Sequence, residues 1–218
     1  MSDATAPTAP TGASYLAHHF ESLEKQTHAA RLGMWLFLST EVLLFTALFA
    51  AYSVYRYLFG ADFAEASRHL QTWIGLVNTL VLVTSSFTVA LGLDRATKGH
   101  GKAARNFFLV SVAMGALFLF FKYVEYAHHF HTGELPGRYY AGELGGPGVP
   151  MFFVLYFMIT GLHGIHVIVG MTVLAVIGLR AGKGAYSRAY HVPVELAGLY
   201  WHLVDIIWIF VFPLIYLI

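Results

Sequence analysis

The stretch VPMFFVLYFMITGLHGIHVIVGMTVLAVIGL, Val149–Leu179, decides the fold of this chain. It contains no Asp, Glu, Lys or Arg, and it exceeds the about 20 apolar residues that a helix needs to cross a bilayer. We therefore expect a membrane-spanning helix that tilts or projects beyond the hydrocarbon. Its two histidines, His163 and His166, lie three residues apart and so share one face of that helix.

The composition of the whole chain agrees with a membrane protein. Of the 218 residues, 57% are hydrophobic and only 11% are charged, which leaves too little polar surface for a soluble domain. The formal net charge of +1 provides no basic field that would attract nucleic acid. Because cysteine is absent, disulfides and iron–sulfur clusters are excluded, and any metal would need His, Met or carboxylate ligands.

Four further stretches have the length and apolar composition of spanning helices, so the sequence predicts an all-α integral membrane bundle of five transmembrane helices. The transmembrane domain is predicted over residues 31–218, with spans at about 32–58, 72–93, 106–126, 149–179 and 194–218. Residues 1–30 are predicted to form an N-terminal tail in the cytoplasm. Within this tail, His18–Ala30 is predicted to form a short helix at the membrane interface.

The positive charges predict the orientation of the bundle, because loops rich in Lys and Arg stay in the cytoplasm. The side of the membrane opposite to the N-terminus carries only three such residues, Arg56, Arg68 and Arg138. The N-terminal side carries nine: Lys25, Arg31, Arg95, Lys98, Lys102, Arg105, Arg180, Lys183 and Arg188. With five crossings, the N-terminus is therefore predicted to be cytoplasmic and the C-terminus periplasmic.

Glu41, in the motif FLSTEVLLF, is the most anomalous residue of the first span. Its place nine residues after Leu32 puts it roughly 14 Å along the helix, near the middle of the bilayer. An ionisable side chain there costs roughly 2.5–3.5 kcal/mol on insertion scales, so it needs a partner. Two interpretations stay open: a protonated carboxyl hydrogen-bonded to another helix, or a group that handles protons or contacts lipid or another subunit.

The third span carries two charged residues, Lys122 and Glu125, three positions apart. This spacing predicts an ion pair near the outer interface, with the lysine stem snorkelling toward the head groups. The segment EYAH, Glu125–His128, also resembles half of a Glu-x-x-His di-iron pair. A carboxylate di-iron bundle needs that unit twice, whereas this sequence supplies it once.

The fifth span places Glu195, His202 and Asp205 at spacings of seven and three, which predicts one polar stripe along a helix face. The stripe must face protein, because hydrocarbon offers its side chains no partner. Small residues beside His163 and His166 allow close helix approach. We therefore expect these two histidines to hydrogen-bond the stripe or the carboxyl of the first span.

A membrane-embedded metalloenzyme is the alternative from another class. Haem would need His163 or His166 to face His202 across the bundle. A di-iron centre would draw its ligands from Glu41, Glu125, His128, His163, His166 and His202. A proton-coupled transporter is a third class, although the sequence shows no inverted repeat of broken helices.

Five motifs together resemble subunit III of the haem–copper terminal oxidases. In chain order they are LSTEVLLF (Leu38–Phe45), LVNTLVLVTSSFTVA (Leu76–Ala90), FKYVEY (Phe121–Tyr126), TGLHGIHVIVG (Thr160–Gly170) and YWHLVDIIWIFVFPLIYLI (Tyr200–Ile218). The resemblance covers about residues 30–218, and the last two motifs in combination are its most specific part. Because longer members of that family have seven spans, this chain is similar to the short five-helix bacterial form.

The resemblance implies an accessory subunit of a cytochrome c oxidase, which couples oxygen reduction in aerobic respiration to proton translocation. Haem and copper would belong to partner subunits, and this chain would contain neither a metal nor a catalytic centre. The implied partners are subunit I in direct contact, subunit II, a small subunit IV and bound phospholipids. The implied roles are stabilisation of subunit I, support of proton uptake and guidance of oxygen, in the bacterial cytoplasmic (inner) membrane.

The resemblance also implies roles for individual residues. Glu41 matches a buried carboxyl that reacts with carbodiimides, and Arg180 matches a basic residue that contacts a lipid head group. The other matching positions form an intramembrane polar seam of interhelical hydrogen bonds: Lys122, Glu125, His163, His166, Glu195, His202 and Asp205. Glutamate at position 41 favours the cytochrome c branch of the family. Subunit III of a quinol oxidase, or a homologue associated with nitric oxide reductase, is the alternative.

Overall fold

The structure is a computed structural model that describes residues 15–18, 20–188 and 190–218. Within these residues all regular elements are helical and no strand forms, and five helices are long and apolar enough to cross a membrane. The prediction of an all-α bundle of five transmembrane helices is confirmed. The helices are α1 (Leu23–Leu58), α2 (Gly60–His69), α3 (Thr72–Thr97), α4 (Gly101–His131), α5 (Val149–Gly182) and α6 (Val192–Tyr216).

The first helix is longer than the predicted span. It begins at Leu23, where the Ser22 side chain accepts the backbone N–H of Lys25 at 3.2 Å. The segment from Leu23 to Ala30, predicted to belong to a separate interfacial helix, instead forms the first turns of α1. The sequence has neither Gly nor Pro between Leu23 and Leu32, so nothing interrupts the helix there.

The short helix α2 lies between the first two predicted spans, 32–58 and 72–93, where no helix was predicted. It is amphipathic, and it buries Phe63, Ala66 and Ser67 against the bundle. The Phe63 ring meets the Phe152 ring of α5 edge-on at a centroid distance of 5.4 Å. The Ser67 hydroxyl donates to the Ile215 carbonyl at 2.7 Å, near the end of α6. Through these contacts α2 covers one end of the bundle.

Helices α3, α4, α5 and α6 form a closed ring in which each helix packs against two neighbours. The largest side chains in the centre of the ring are Trp201 and Trp208, both fully buried. Helix α1 lies outside the ring, against α5 and α6, and most of its apolar side chains are exposed. In a membrane this face of α1 is available to lipid or to another protein.

Two glycines on different helices illustrate how tightly the ring is packed. A Cβ atom added to Gly101, at the start of α4, would lie 2.1 Å from the Ala181 carbonyl oxygen in the last turn of α5. A Cβ atom added to Gly33, inside α1, would meet nothing within 4 Å. The backbones of α4 and α5 therefore approach closely at Gly101, whereas α1 is open at Gly33.

We expect Gly101→Ala to lower the midpoint of thermal unfolding of the purified protein, because the α4 and α5 backbones must separate to admit the methyl group. Gly33→Ala is the matched control. It should leave the midpoint unchanged or raise it, since alanine in a helix interior is favoured over glycine by about 0.5–1 kcal/mol. Equal midpoints for the two variants would contradict the close approach of α4 and α5.

Candidate functional site

The Glu41 carboxyl of α1 meets His166 of α5. His166 Nε2 lies 2.8 Å from Glu41 Oε2, and His166 Nδ1 lies 2.8 Å from the Leu162 carbonyl oxygen. Because a carbonyl only accepts, Nδ1 bears a hydrogen and donates it. Nε2 then accepts from a protonated carboxyl, or donates to a carboxylate as part of an imidazolium. In both arrangements one proton lies between the two side chains and joins α1 to α5.

Lys122 lies inside the ring with only 6% of its surface exposed. Its Nζ atom donates to Glu125 Oε2 at 2.9 Å, to the Tyr156 hydroxyl at 3.0 Å and to the Tyr216 hydroxyl at 2.8 Å. These three bonds use all three hydrogens of the ammonium. The Tyr216 hydroxyl also donates to Glu125 Oε1 at 2.7 Å. This Lys122 cluster joins α4 to α5 through Tyr156 and to α6 through Tyr216.

Aromatic rings surround the ammonium of the Lys122 cluster. Its Nζ atom lies 4.8–5.6 Å from the ring centroids of Tyr126, Tyr156, Trp208 and Tyr216. At these distances the rings attract a cation. The predicted ion pair with Glu125 is present, but the predicted snorkelling of Lys122 is wrong, because every partner of the ammonium lies inside the bundle.

His163, one turn before His166, is completely buried. Its ring meets the Phe118 ring of α4 edge-on at a centroid distance of 5.4 Å and lies tilted against Trp208 of α6 at 5.1 Å. Within the part of the chain that the structure describes, neither ring nitrogen has a hydrogen-bond partner. The expected hydrogen bond therefore forms at His166 and not at His163, since aromatic rings rather than polar groups meet this level of α5.

Asp205 of α6 is 3% exposed and faces α3. The Ser86 hydroxyl contacts Asp205 Oδ2 and lies 3.1 Å from His202 Nδ1, so it bridges the two α6 residues. Ser85 Oγ lies 3.4 Å from the same carboxyl oxygen and accepts the Trp201 indole N–H at 2.9 Å. The two consecutive serines of α3 thus hold the polar face of α6.

Glu195, the third residue of the predicted stripe, contacts a different helix. Its carboxylate pairs with the Arg31 guanidinium of α1 at 2.7 Å, and His191 Nε2 lies 3.7 Å from its other oxygen. At 3.6 residues per turn, Glu195 and Asp205 differ by roughly 80° around the α6 axis. The three residues therefore lie on one broad face of α6, and the two ends of that face meet different helices. Glu195 pairs with Arg31 of α1, whereas His202 and Asp205 contact Ser86 of α3.

A further polar cluster lies where α2 and α4 end. His129 Nδ1 is 2.6 Å from Glu134 Oε2, and His69 Nδ1 is 3.4 Å from Glu134 Oε1. The Thr132 hydroxyl also donates to Glu134 at 3.1 Å. His129 and Glu134 are buried, so this carboxyl fixes the end of α4 against α2.

The candidate metal ligands do not come together. Among residues 15–18, 20–188 and 190–218, no three His, Asp or Glu side chains form a group that could hold a metal ion. Arg180, the predicted lipid contact, is exposed in the last turn of α5. The proposed ligands have separate surroundings: Glu41 beside His166, Glu125 beside Lys122, His163 between aromatic rings, His202 beside Ser86 and His128 beside His129.

Sequence reasoning missed the residues that complete these clusters. Two adjacent serines in an apolar span, Ser85 and Ser86, were a usable signal, because hydroxyls in a membrane must find acceptors. Tyr156, Tyr216 and Arg31 gave no such signal. Tyrosine and arginine near the ends of spans are ordinary interfacial residues, so only the packing of the helices reveals their partners.

Comparison with known proteins gives a consistent result. The family model described as cytochrome c oxidase subunit III matches residues 10–218. The chain is 34% identical to cytochrome c oxidase subunit 3 of Synechocystis over 85% of its own length and 74% of that protein. It is 32% identical to the subunit 3 of Thermostichus vulcanus over 86% of each chain. It is also 26% identical to a probable quinol oxidase subunit 3 of Staphylococcus epidermidis, over 93% of its own length and 97% of that protein.

We expect Lys122→Met to lower the free energy of unfolding by about 3–5 kcal/mol, because it leaves the Glu125 carboxylate buried without its counter-charge. The double variant Lys122→Met/Glu125→Gln should recover most of this loss, since it leaves no buried charge. Lys98→Met is the control, because it breaks an exposed pair with Asp94 and should have little effect. Unfolding in detergent measures all three. A Lys122→Met variant as stable as the control would contradict the described cluster.

Proposed function

This chain belongs to the cytochrome c oxidase subunit III family, and we propose that it acts as the non-catalytic accessory subunit of a proton-pumping haem–copper oxidase. It is a multi-pass membrane protein. The observation that carries the proposal is the family match over residues 10–218. Its partners would be subunit I in direct contact, subunit II and a small subunit IV, with haem and copper in those partners. Its membrane would be the bacterial inner membrane, with a cytoplasmic N-terminus and a periplasmic C-terminus.

The proposed electron donor of the complex is cytochrome c. Two of the relatives described above are named cytochrome c oxidase subunit 3, at 34% and 32% identity, and the quinol oxidase relative has a lower identity of 26%. The glutamate at position 41 also favours the cytochrome c branch, as the resemblance to the family implies. A quinol oxidase of the same family is the second candidate, and its subunit 3 aligns over nearly the whole chain.

The surroundings of the ionisable residues support an accessory role. Glu41, Lys122, Glu125 and Asp205 each contact polar side chains of the same chain, which leaves them engaged in packing rather than aimed at a common substrate cavity. Apart from the Lys122–Glu125 pair within α4, these residues contact other helices: Glu41 contacts α5, Lys122 contacts α5 and α6, Glu125 contacts α6 and Asp205 contacts α3. We infer that their main role is to hold the bundle in the shape that subunit I requires.

The proposed supporting roles in lipid binding and proton uptake concern two places on the surface. The exposed apolar face of α1 would bind acyl chains or subunit I, and Arg180 would pair with a phospholipid phosphate. The Glu41 side chain is 15% exposed and lies on the same helix, so a proton held between Glu41 and His166 can exchange at that face. These features support the role without requiring a metal in this chain.

Purification in mild detergent tests the proposed function. A tagged chain should co-purify from its native membrane with haem and copper, and the redox difference spectrum should show the haem bands of an oxidase. The same chain produced alone should be colourless and free of stoichiometric iron and copper. Haem or iron retained by the isolated chain would instead support the metalloenzyme alternative, and substrate flux in liposomes would support a transporter.

We expect Glu41→Gln to abolish labelling of the chain by a hydrophobic carbodiimide, while assembly and initial oxygen consumption of the complex stay close to normal. The amide keeps the shape of the side chain but offers no carboxyl to the reagent. Glu24→Gln, in the exposed first turn of α1, is the matched control and should leave the labelling intact. Complete loss of oxygen reduction in an assembled Glu41→Gln complex would contradict an accessory role.

A further inference from the structure

We propose that Asp205, Ser86 and His202 form a proton-exchange site, through which the buried acid of α6 exchanges its proton with a groove between α1, α3 and α6. This site depends only on the geometry of its own side chains. It is independent of the role proposed for the chain in an oxidase. It gives Ser86 and Asp205 a function in addition to joining α3 to α6.

The Ser86 hydroxyl is the centre of the site. It contacts Asp205 Oδ2 and lies 3.1 Å from His202 Nδ1, yet a hydroxyl has a single hydrogen to donate. When that hydrogen points to Asp205, His202 Nδ1–H donates to Ser86 and the acid is a carboxylate. When it points to His202 Nδ1, Asp205 is the protonated acid and donates to Ser86. The bridge therefore has two complete hydrogen-bond arrangements.

The two arrangements differ by the position of one proton. When the acid ionises, the O–H bond of Asp205 breaks and its proton passes to Ser86 Oγ. The original Ser86 proton passes at the same time to His202 Nδ1, where an N–H bond forms. Ser86 has one hydrogen before and after the transfer. A neutral acid and a neutral imidazole have become a carboxylate and an imidazolium, so protons and charge balance.

Burial favours the protonated acid as the resting form. Asp205 is 3% exposed, and its Oδ1 has no hydrogen-bond partner in the part of the chain that the structure describes. A carboxylate there would be desolvated and only half compensated, which is costly. The groups that face it from α3 are the hydroxyls of Ser85 and Ser86, which bear no charge. The ion-paired arrangement is therefore a transient one that moves the proton outward.

His202 connects this bridge to the groove. The groove has a volume of about 260 Å³ and is lined by His202 and by apolar residues such as Val89 and Leu196, with the Arg31–Glu195 pair at its other end. Glu195 precedes His202 by seven residues, so the charged pair lies roughly 10 Å from His202 along α6. The His202 side chain is only partly buried. A rotation of its ring carries the proton bound at Nδ1 to the groove, and the reverse rotation returns one.

Infrared spectroscopy of the protein purified in mild detergent from its native membrane, together with whatever subunits accompany it, tests the site. The spectrum of the Asp205→Asn variant is subtracted from the spectrum of the unchanged protein. The difference should contain the C=O stretching band of the protonated Asp205 carboxyl. After transfer into D₂O that band should move to lower frequency as the acid exchanges its proton. In Ser86→Ala the rate of this shift should fall by about tenfold or more, which corresponds to about 1.4 kcal/mol in the barrier.

Thr84→Ala is the matched control on the same helix, because the Thr84 hydroxyl is exposed and donates to the Leu80 carbonyl at 2.7 Å. It should leave both the band and its exchange rate unchanged. The proposal is overturned if Asp205→Asn removes no protonated-carboxyl band, or if Ser86→Ala exchanges as fast as the control. If Asp205→Asn does not assemble, Ser86→Ala serves to assign the carboxyl band to Asp205. Loss of its hydroxyl should shift the frequency of the band, and an unshifted band would overturn the proposal.

Discussion

A charged side chain buried inside a bilayer needs partners within the protein, and Lys122 meets this constraint with all three hydrogens of its ammonium. A buried ammonium without partners would cost several kcal/mol. Its three hydrogens instead reach Glu125, Tyr156 and Tyr216, which belong to α4, α5 and α6. In the observed register these three helices satisfy the ammonium completely, and a shift of α5 or α6 along α4 would break one of the bonds. Helix α3 closes the ring by packing against α4 and α6, and α2 covers one end of it.

The other polar contacts extend the same logic to the remaining helices. Ser86 and Asp205 fix α3 against α6, and the Glu41–His166 contact fixes α1 against α5. Helix α1 packs less extensively than the ring helices, so the polar contacts of Glu41 with His166 and of Arg31 with Glu195 matter more for its position. The proposed accessory role, in which this helix faces lipid or a catalytic partner, requires the helix to be held at a defined rotation.

The sequence predicted the features that depend on length and composition, and missed those that depend on how helices rotate against one another. Five spans follow from apolar runs, and the family follows from motifs such as TGLHGIHVIVG. Periodicity alone could not decide which of His163 and His166 would meet Glu41, because both lie on one helix face. Periodicity also could not show that Glu195 and Asp205 contact different helices. The 80° rotation between them matters only once α1 and α3 are in place on either side of α6.

The central claim is that buried polar groups join the helices of this bundle, and a double-mutant cycle between Lys122 and Tyr216 measures it most directly. The free energy of unfolding would be determined for the unchanged protein, Lys122→Met, Tyr216→Phe and the double variant. We expect the two substitutions to be coupled by about 0.5–3 kcal/mol, because each removes the same α4–α6 contact. Strictly additive effects would show that Lys122 and Tyr216 contribute independently, and would contradict the role assigned to the Lys122 cluster.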